Sequence, residues 1–370
     1  MKIRAQNLLL DDEFVTEQTV HIEYGKIIDI YPSRNEAVEH DVHYLVPSYI
    51  DLQVNGGGGV LLQEGVKPAD VLKVVSAHSE FGSGFILPTL ITNSYLAMQQ
   101  CADAVIQARE QTSAVLGVHF EGPWLAKAKK GIHLEQHIRA PSDAELALIS
   151  DVQLGKVLIT LAPETVPVDV ITDLVARGVV ISLGHSNASH EQVLAAIEAG
   201  ASGFTHLYNA MSGLQGRDPG MVGVALGEES TFAGLIVDHH HVNPYAVRLA
   251  YKHKSFEHLC LVTDAMAHVG SSNHVLPYFD TQITQRDGKL TTPEGALAGS
   301  CLTMHEAVLN LHRDIGVPLE HSMIMASRTP ANWLGLYEYG RIGIDMRASL
   351  LGINSELLIT SHWRDGVLVK

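Results

Sequence analysis

Val157-Leu158-Ile159-Thr160-Leu161, a helix-like segment over 167–177, Val179-Val180-Ile181-Ser182-Leu183, a second helix-like segment over 188–199, and then Phe204-Thr205-His206 form the stretch that decides the fold. The apolar runs have strand length, are rich in β-branched residues and show no polar alternation. That is the pattern of strands buried on both faces, as in a parallel sheet covered by helices. The same rhythm extends outward. Phe85-Ile86-Leu87 precedes a helical pattern over 94–111, and Gly234-Leu235-Ile236-Val237-Asp238 and Leu259-Cys260-Leu261-Val262-Thr263-Asp264 follow downstream. With runs near 50–54 and 115–121 this makes about eight strands, enough to close a (β/α)8 barrel with its chemistry at the C-terminal strand ends. Ser142 with Glu145 three residues later reads as a capping box at a helix start. The two chain ends differ in texture, with short β-like runs punctuated by turns at Gly25 and at Arg364-Asp365-Gly366. The expected architecture is an α/β protein: a TIM-like barrel of the metal-dependent hydrolase type over 47–338, with a small β-sandwich domain assembled from 1–46 and 339–370.

Composition narrows the function. The chain has 370 residues, with 25 Lys plus Arg against 41 Asp plus Glu and a net charge of -16, so it repels polyanions and acidic membrane surfaces. Nucleic acid and membrane are therefore not expected partners. At 46% hydrophobic and 18% charged residues it is too apolar for disorder, yet no run approaches the ~18 apolar residues of a membrane span. Met1 to Glu13 lacks an apolar signal-peptide core, so the expected compartment is the cytoplasm. There are 21 His but only 3 Cys, and Cys101, Cys260 and Cys301 have no paired spacing. Any bound metal must be held by imidazole and carboxylate.

Polar residues fall where a barrel places chemistry. One apolar run ends in Phe120-Glu121-Gly122-Pro123-Trp124 and another in Gly184-His185-Ser186-Asn187-Ala188. Two more end in Thr205-His206-Leu207-Tyr208-Asn209-Ala210-Met211 and in Thr263-Asp264-Ala265. A single polar residue at a strand end is usually a cap or a loop contact. Two imidazoles and a carboxylate together match the three protein ligands of a catalytic zinc, and a further carboxylate could serve as general acid and base.

These segments, with Gly216-Arg217-Asp218-Pro219-Gly220, closely resemble the N-acetylglucosamine-6-phosphate deacetylases of the amidohydrolase superfamily, in matching order from about Pro47 to Trp333. The resemblance implies Glu121, His185 and His206 as ligands of one divalent metal ion per subunit, zinc first, with iron, manganese or cobalt as alternatives. It implies Asp264 as the catalytic acid and base and His133 as donor to the oxyanion. Asn209, Ala210, His241, Ile132 and the segment Leu297-Ala298-Gly299 fall at its substrate-contacting positions. Arg217 falls at its phosphate ligand, supplied across a homodimer interface. The substrate so implied is N-acetylglucosamine 6-phosphate, an intermediate of amino-sugar catabolism, and the products are glucosamine 6-phosphate and acetate. The 4-epimer, N-acetylgalactosamine 6-phosphate, is the nearest alternative. Another amidohydrolase reaction and a catalytically dead sugar-phosphate sensor stand further off.

One departure from the wider superfamily stands out. Where many members carry His-x-His at the end of the first strand, this chain has Gln53-Val54-Asn55. Neutral amides are poor zinc ligands, so a single-metal site is expected, with Gln53 a candidate contact to the substrate or to water. His119 shares a strand face with Glu121 and is either a supporting residue or a hydrogen-bonded core histidine. His239 and His240 read as loop or interface residues, Lys127, Lys129 and Lys130 as a solvated face. Gly56 to Gly59 form a flexible loop without the features of a phosphate-binding one, and Cys301 is a small packing residue.

Overall fold

The computed structural model describes residues 1–370. Strand Lys156–Leu161 is buried at every position after its first, as its unbroken apolar run requires. It pairs in parallel with Gly117–Glu121 on one side and Val180–Leu183 on the other. The full sheet runs in sequence order through Tyr49–Val54, Ser83–Ile91, Gly117–Glu121, Lys156–Leu161, Val180–Leu183, Gly203–Phe204, Phe232–Leu235 and Leu259–Leu261, all parallel. A helix follows each strand, which is the (β/α)8 pattern. The first and eighth strands lack a continuous ladder. They meet through the bridge Val54 to Ala265 and through polar side chains described below.

The helical segments expected at 94–111, 167–177 and 188–199 are the helices Tyr95–Arg109, Val168–Ala176 and His190–Glu198. Val168–Ala176 buries Ile171 and Leu174 completely while Asp169 and Asp173 face solvent. Each buried aliphatic side chain contributes roughly 1.5–3 kcal/mol. The capping box at Ser142 forms: the Ser142 N–H donates to Glu145 Oε2 at 3.0 Å and the Glu145 N–H to Ser142 Oγ at 3.4 Å.

Strands from both chain ends build a separate seven-stranded sheet. Its order is Val367–Leu368, Ile359–Arg364, Leu350–Ile353, His40–Pro47, Lys2–Leu10, Glu13–Glu23, Lys26–Pro32. Segment 342–348 ties its far edge back, with the Ile27 N–H donating to Met346 O at 2.9 Å. The resulting interior, around Ile3, Leu8, Leu45 and Trp363, is a cluster distinct from the barrel core. No helix is long and apolar enough to cross a membrane.

After the eighth strand the chain adds a three-stranded antiparallel sheet, Val275–Tyr278, Thr281–Arg286 and Lys289–Thr291. It packs Tyr278, Ile283 and Leu290 against Ile91 and Met266, and the Tyr278 hydroxyl donates to Ile132 O at 2.9 Å. This small sheet forms one side of the mouth of the barrel.

Candidate metal centre and active site

Glu121 ends the third barrel strand, His185 follows the fifth and His206 the sixth. Because parallel strands all point the same way, these ends converge. Glu121 Oε1 lies 3.2 Å from His185 Nε2 and 3.0 Å from His206 Nε2, and the two Nε2 atoms are 3.0 Å apart. All three residues are buried. Left to themselves, two neutral imidazole lone pairs at that separation repel. A small cation bonded at ~2.0–2.1 Å in tetrahedral geometry sets its ligand atoms ~3.4 Å apart, so the donor set fits a divalent ion after a slight expansion. His185 Nδ1 is fixed by Lys129 O at 2.8 Å, which places its proton on Nδ1 and leaves Nε2 as a ligand atom. His206 Nδ1 is buried without a partner. Burial alone would raise Glu121, but the imidazoles of His185 and His206 that face it outweigh burial and hold the carboxyl well below its ordinary range.

The backbone at this rim is unusual. His185, His206 and Asp264 have φ of 48°, 34° and 51°, and Ala210 has 51°. Left-handed conformation in residues other than glycine costs energy, and it gathers where side chains must be aimed.

Asp264 stands at the end of the eighth strand, with its carboxylate Oδ1 accepting from Asn55 Nδ2 at 2.6 Å. Burial, and then the neighbouring Glu121, push its pKa up to about 6; a bound cation would pull it back down. Gln53 Nε2 donates to Glu121 Oε1 at 3.1 Å. Gln53 therefore fixes the Glu121 carboxylate and lies behind the cavity lining rather than in it. Below Asp264, the buried Asp51 accepts from Thr263 Oγ1 at 2.5 Å and from the Gln53 and Thr263 N–H groups at 3.2 and 3.3 Å.

His133 completes the site. Its Nδ1 accepts from the Thr92 N–H at 3.3 Å and lies 2.8 Å from Thr92 Oγ1, so its remaining proton sits on Nε2. Burial and the adjacent His185 push its pKa down to about 3, which keeps the ring neutral. His241 Nδ1 donates to Asp238 Oδ2 at 2.6 Å. Burial would raise Asp238, but His241 prevails and lowers it to about 2.

A cavity of about 180 Å³ joins these groups; Asn209, Ala210, Ile132, Leu297 and Gly299 complete its walls beside Asn55, His133, His241 and Asp264. Ala298 lies behind the wall, in the core of the small sheet. Arg217 is exposed on the loop between His206 and helix Gly220–Gly227, outside the cavity walls. His119 is a core histidine, bonded to Thr160 Oγ1 at 2.8 Å and Leu52 O at 3.0 Å. His239 pairs with Asp314 at 2.9 Å, on the outside. Asn55, Asp51 and Asp238 have roles that the sequence did not reveal.

Residues 44–366 match the Amidohydrolase family. The chain is 43% identical over 327 residues to the N-acetylgalactosamine-6-phosphate deacetylase of Shewanella sp. strain ANA-3, covering 88% of this chain and 83% of that one. It is 34% identical over 380 residues to the N-acetylglucosamine-6-phosphate deacetylase of Vibrio furnissii, covering 99% and 94%. Among solved structures, N-acetylglucosamine-6-phosphate deacetylase from Pasteurella multocida superposes with a TM-score of 0.94 at 31% identity, covering 100% of this chain and 99% of that one.

Proposed function

The chain belongs to the amidohydrolase family, and on that premise we propose that it hydrolyses the acetamide of an N-acetylhexosamine 6-phosphate, releasing acetate and the free amino sugar phosphate. The observation that carries this reading is the convergence of Glu121, His185 and His206 beside Asp264 and His133 in one cavity. A divalent ion held by those three ligands, zinc as the first choice, would supply Lewis acidity to the water and the amide carbonyl. The remaining work falls to the protein. Asp264 takes a proton from the attacking water as the C–O bond forms, then delivers it to the amine as the C–N bond breaks. His133, neutral and carrying its proton on Nε2, donates to the developing oxyanion. Asp238 holds His241 against the sugar, and Asn209, Ala210 and the 297–299 segment supply further contacts.

The phosphate needs a local cation in a chain of net charge -16. Arg217, exposed on its loop, is suited to bind it from a neighbouring protomer, so the working assembly in this reading is a homodimer. The compartment in the same reading is the cytoplasm, where sugar phosphates are metabolised.

The gluco epimer is the substrate expected from the sequence motifs. The galacto epimer is a second reading, favoured by the 43% identity to the Shewanella enzyme. Acetate release measured side by side on both 6-phosphates and on unphosphorylated N-acetylglucosamine, with metal analysis of the same sample, tests the proposal. Release from a 6-phosphate at a kcat/KM at least ~10²-fold above the unphosphorylated sugar is expected, since a bidentate charge-assisted contact is worth a few kcal/mol. Equal rates would remove the role of Arg217, and no acetate from any of the three would overturn the reading.

A further inference from the structure

The barrel closes at a seam, and the catalytic carboxylate stands on it. The first and eighth strands share one isolated bridge, Val54 to Ala265, where every other neighbouring pair has a ladder. Polar contacts do the rest. The N–H groups of Asn55 and Gly56 both donate to Ala265 O, at 2.8 and 3.0 Å, and the Leu62 N–H donates to Asn55 O at 2.9 Å. Asn55 is therefore pinned through its backbone on both sides. Its side chain makes a single hydrogen bond, Nδ2 to Asp264 Oδ1 at 2.6 Å, while its Oδ1 is buried with no partner. The carboxylate of Asp264 in turn has no other hydrogen-bond donor in the structure, and its backbone is left-handed. Each side chain is the other's sole polar anchor.

We propose that Asn55 is the positioning residue for Asp264, its amide N–H holding the carboxylate in the orientation from which it exchanges protons with water and amine. The amide orientation is forced, because an ionised carboxylate only accepts and so only Nδ2 can face it. A charged donor in this place, Lys or Arg, would stabilise the carboxylate so strongly that it became a poor base; a neutral amide orients it with a modest energetic bias. The donor also comes from the strand opposite the seam, so any slippage of the eighth strand is felt directly at the proton-transferring oxygen.

This inference rests on the hydrolytic reading above, and wild-type acetate release, measured first, separates the two. In Asn55→Ala, kcat is expected to fall on the order of 100-fold, as a misplacement of about 1 Å costs a catalytic group. KM should stay within about threefold and bound metal unchanged. Asn55→Asp keeps the shape, and the backbone contacts, but puts an acceptor where the donor was, so its kcat should fall at least as far. A seam role based on packing alone predicts instead that Asn55→Asp retains wild-type kcat. Wild-type kcat in either variant at full metal occupancy overturns the proposal, as does a loss of kcat in both that only tracks lost metal. Should Asn55→Ala fail to fold, Asn55→Asp decides alone.

Discussion

Replacement of His133 by Ala probes the one group in the site whose protonation is fixed from both sides. Nδ1 is occupied by Thr92, and burial with the neighbouring His185 lowers the pKa to about 3. The ring is therefore neutral at pH 7 and acts as a donor through Nε2. Removing a single preorganised donor to an oxyanion costs ~10²–10³ in kcat, or about 2.7–4 kcal/mol. His133→Ala should show that loss at saturating substrate in a steady-state acetate assay, with metal content intact. His133→Gln, which restores an N–H, should recover part of it. Since the imidazole stays uncharged above about pH 3, the pH profile of His133→Ala should keep the shape of the wild-type profile from pH 5 to 9. A kcat within about threefold of wild type, or the disappearance of an acidic limb in the variant, would refute the assignment.

Two further outcomes follow from the same geometry. Burial pushes the pKa of Asp51 up to about 7 against the hydrogen bonds from Thr263 and Gln53. Its folded value thus exceeds its unfolded one near 3.9, and stability is lost as pH rises from about 4 to about 7 and is level above. Asp51→Asn removes that loss, so the melting temperature of the variant relative to wild type should be higher at pH 8 than at pH 5; an equal difference at both would exclude the effect. Chelation should abolish activity, and should lower the melting temperature by several degrees where the metal stood at about 1,000 times its Kd, a stabilisation of ~4 kcal/mol. An unchanged melting temperature with the metal fully removed would show that Glu121, His185 and His206 do not hold it.

The barrel was legible because its strands are buried on both faces and therefore spell continuous apolar runs, as Lys156–Leu161 does. Its sixth strand, Gly203–Phe204, has two residues and no pattern of its own; the regular spacing of its neighbours locates it. The convergence of Glu121, His185 and His206 was legible for a related reason: parallel strands deliver their ends to one rim, so position along the chain stands in for position in space. The small sheet at 275–291 was not anticipated from the sequence. Its alternation at Val275–Tyr278, exposed then buried, spans only four residues, and the Asp287-Gly288 turn, both residues at positive φ, is a hairpin signal that went unread.

What stayed hidden was pairing across the seam. Asn55 and Asp264 are 209 residues apart, and Asp51 and Thr263 are 212, so no local period records them. In the sequence, Gln53 and Asn55 register only as residues that are not histidine. In the structure each donates to a carboxylate of the site, Gln53 to Glu121 and Asn55 to Asp264. That arrangement bears on metal stoichiometry. With His133 neutral and His185 and His206 acting as neutral ligands in the proposed site, the charges facing the cavity would be the carboxylates of Glu121 and Asp264, and a single divalent cation would balance them. Imidazoles at positions 53 and 55 would add ligand atoms without adding negative charge, and a second divalent ion would then leave the pocket with an excess of two positive charges. Neutral amides instead occupy those positions as donors. In the proposed single-metal site, one cation would offset Glu121 and Asp264 together, with Asp264 outside the Glu121, His185 and His206 cluster.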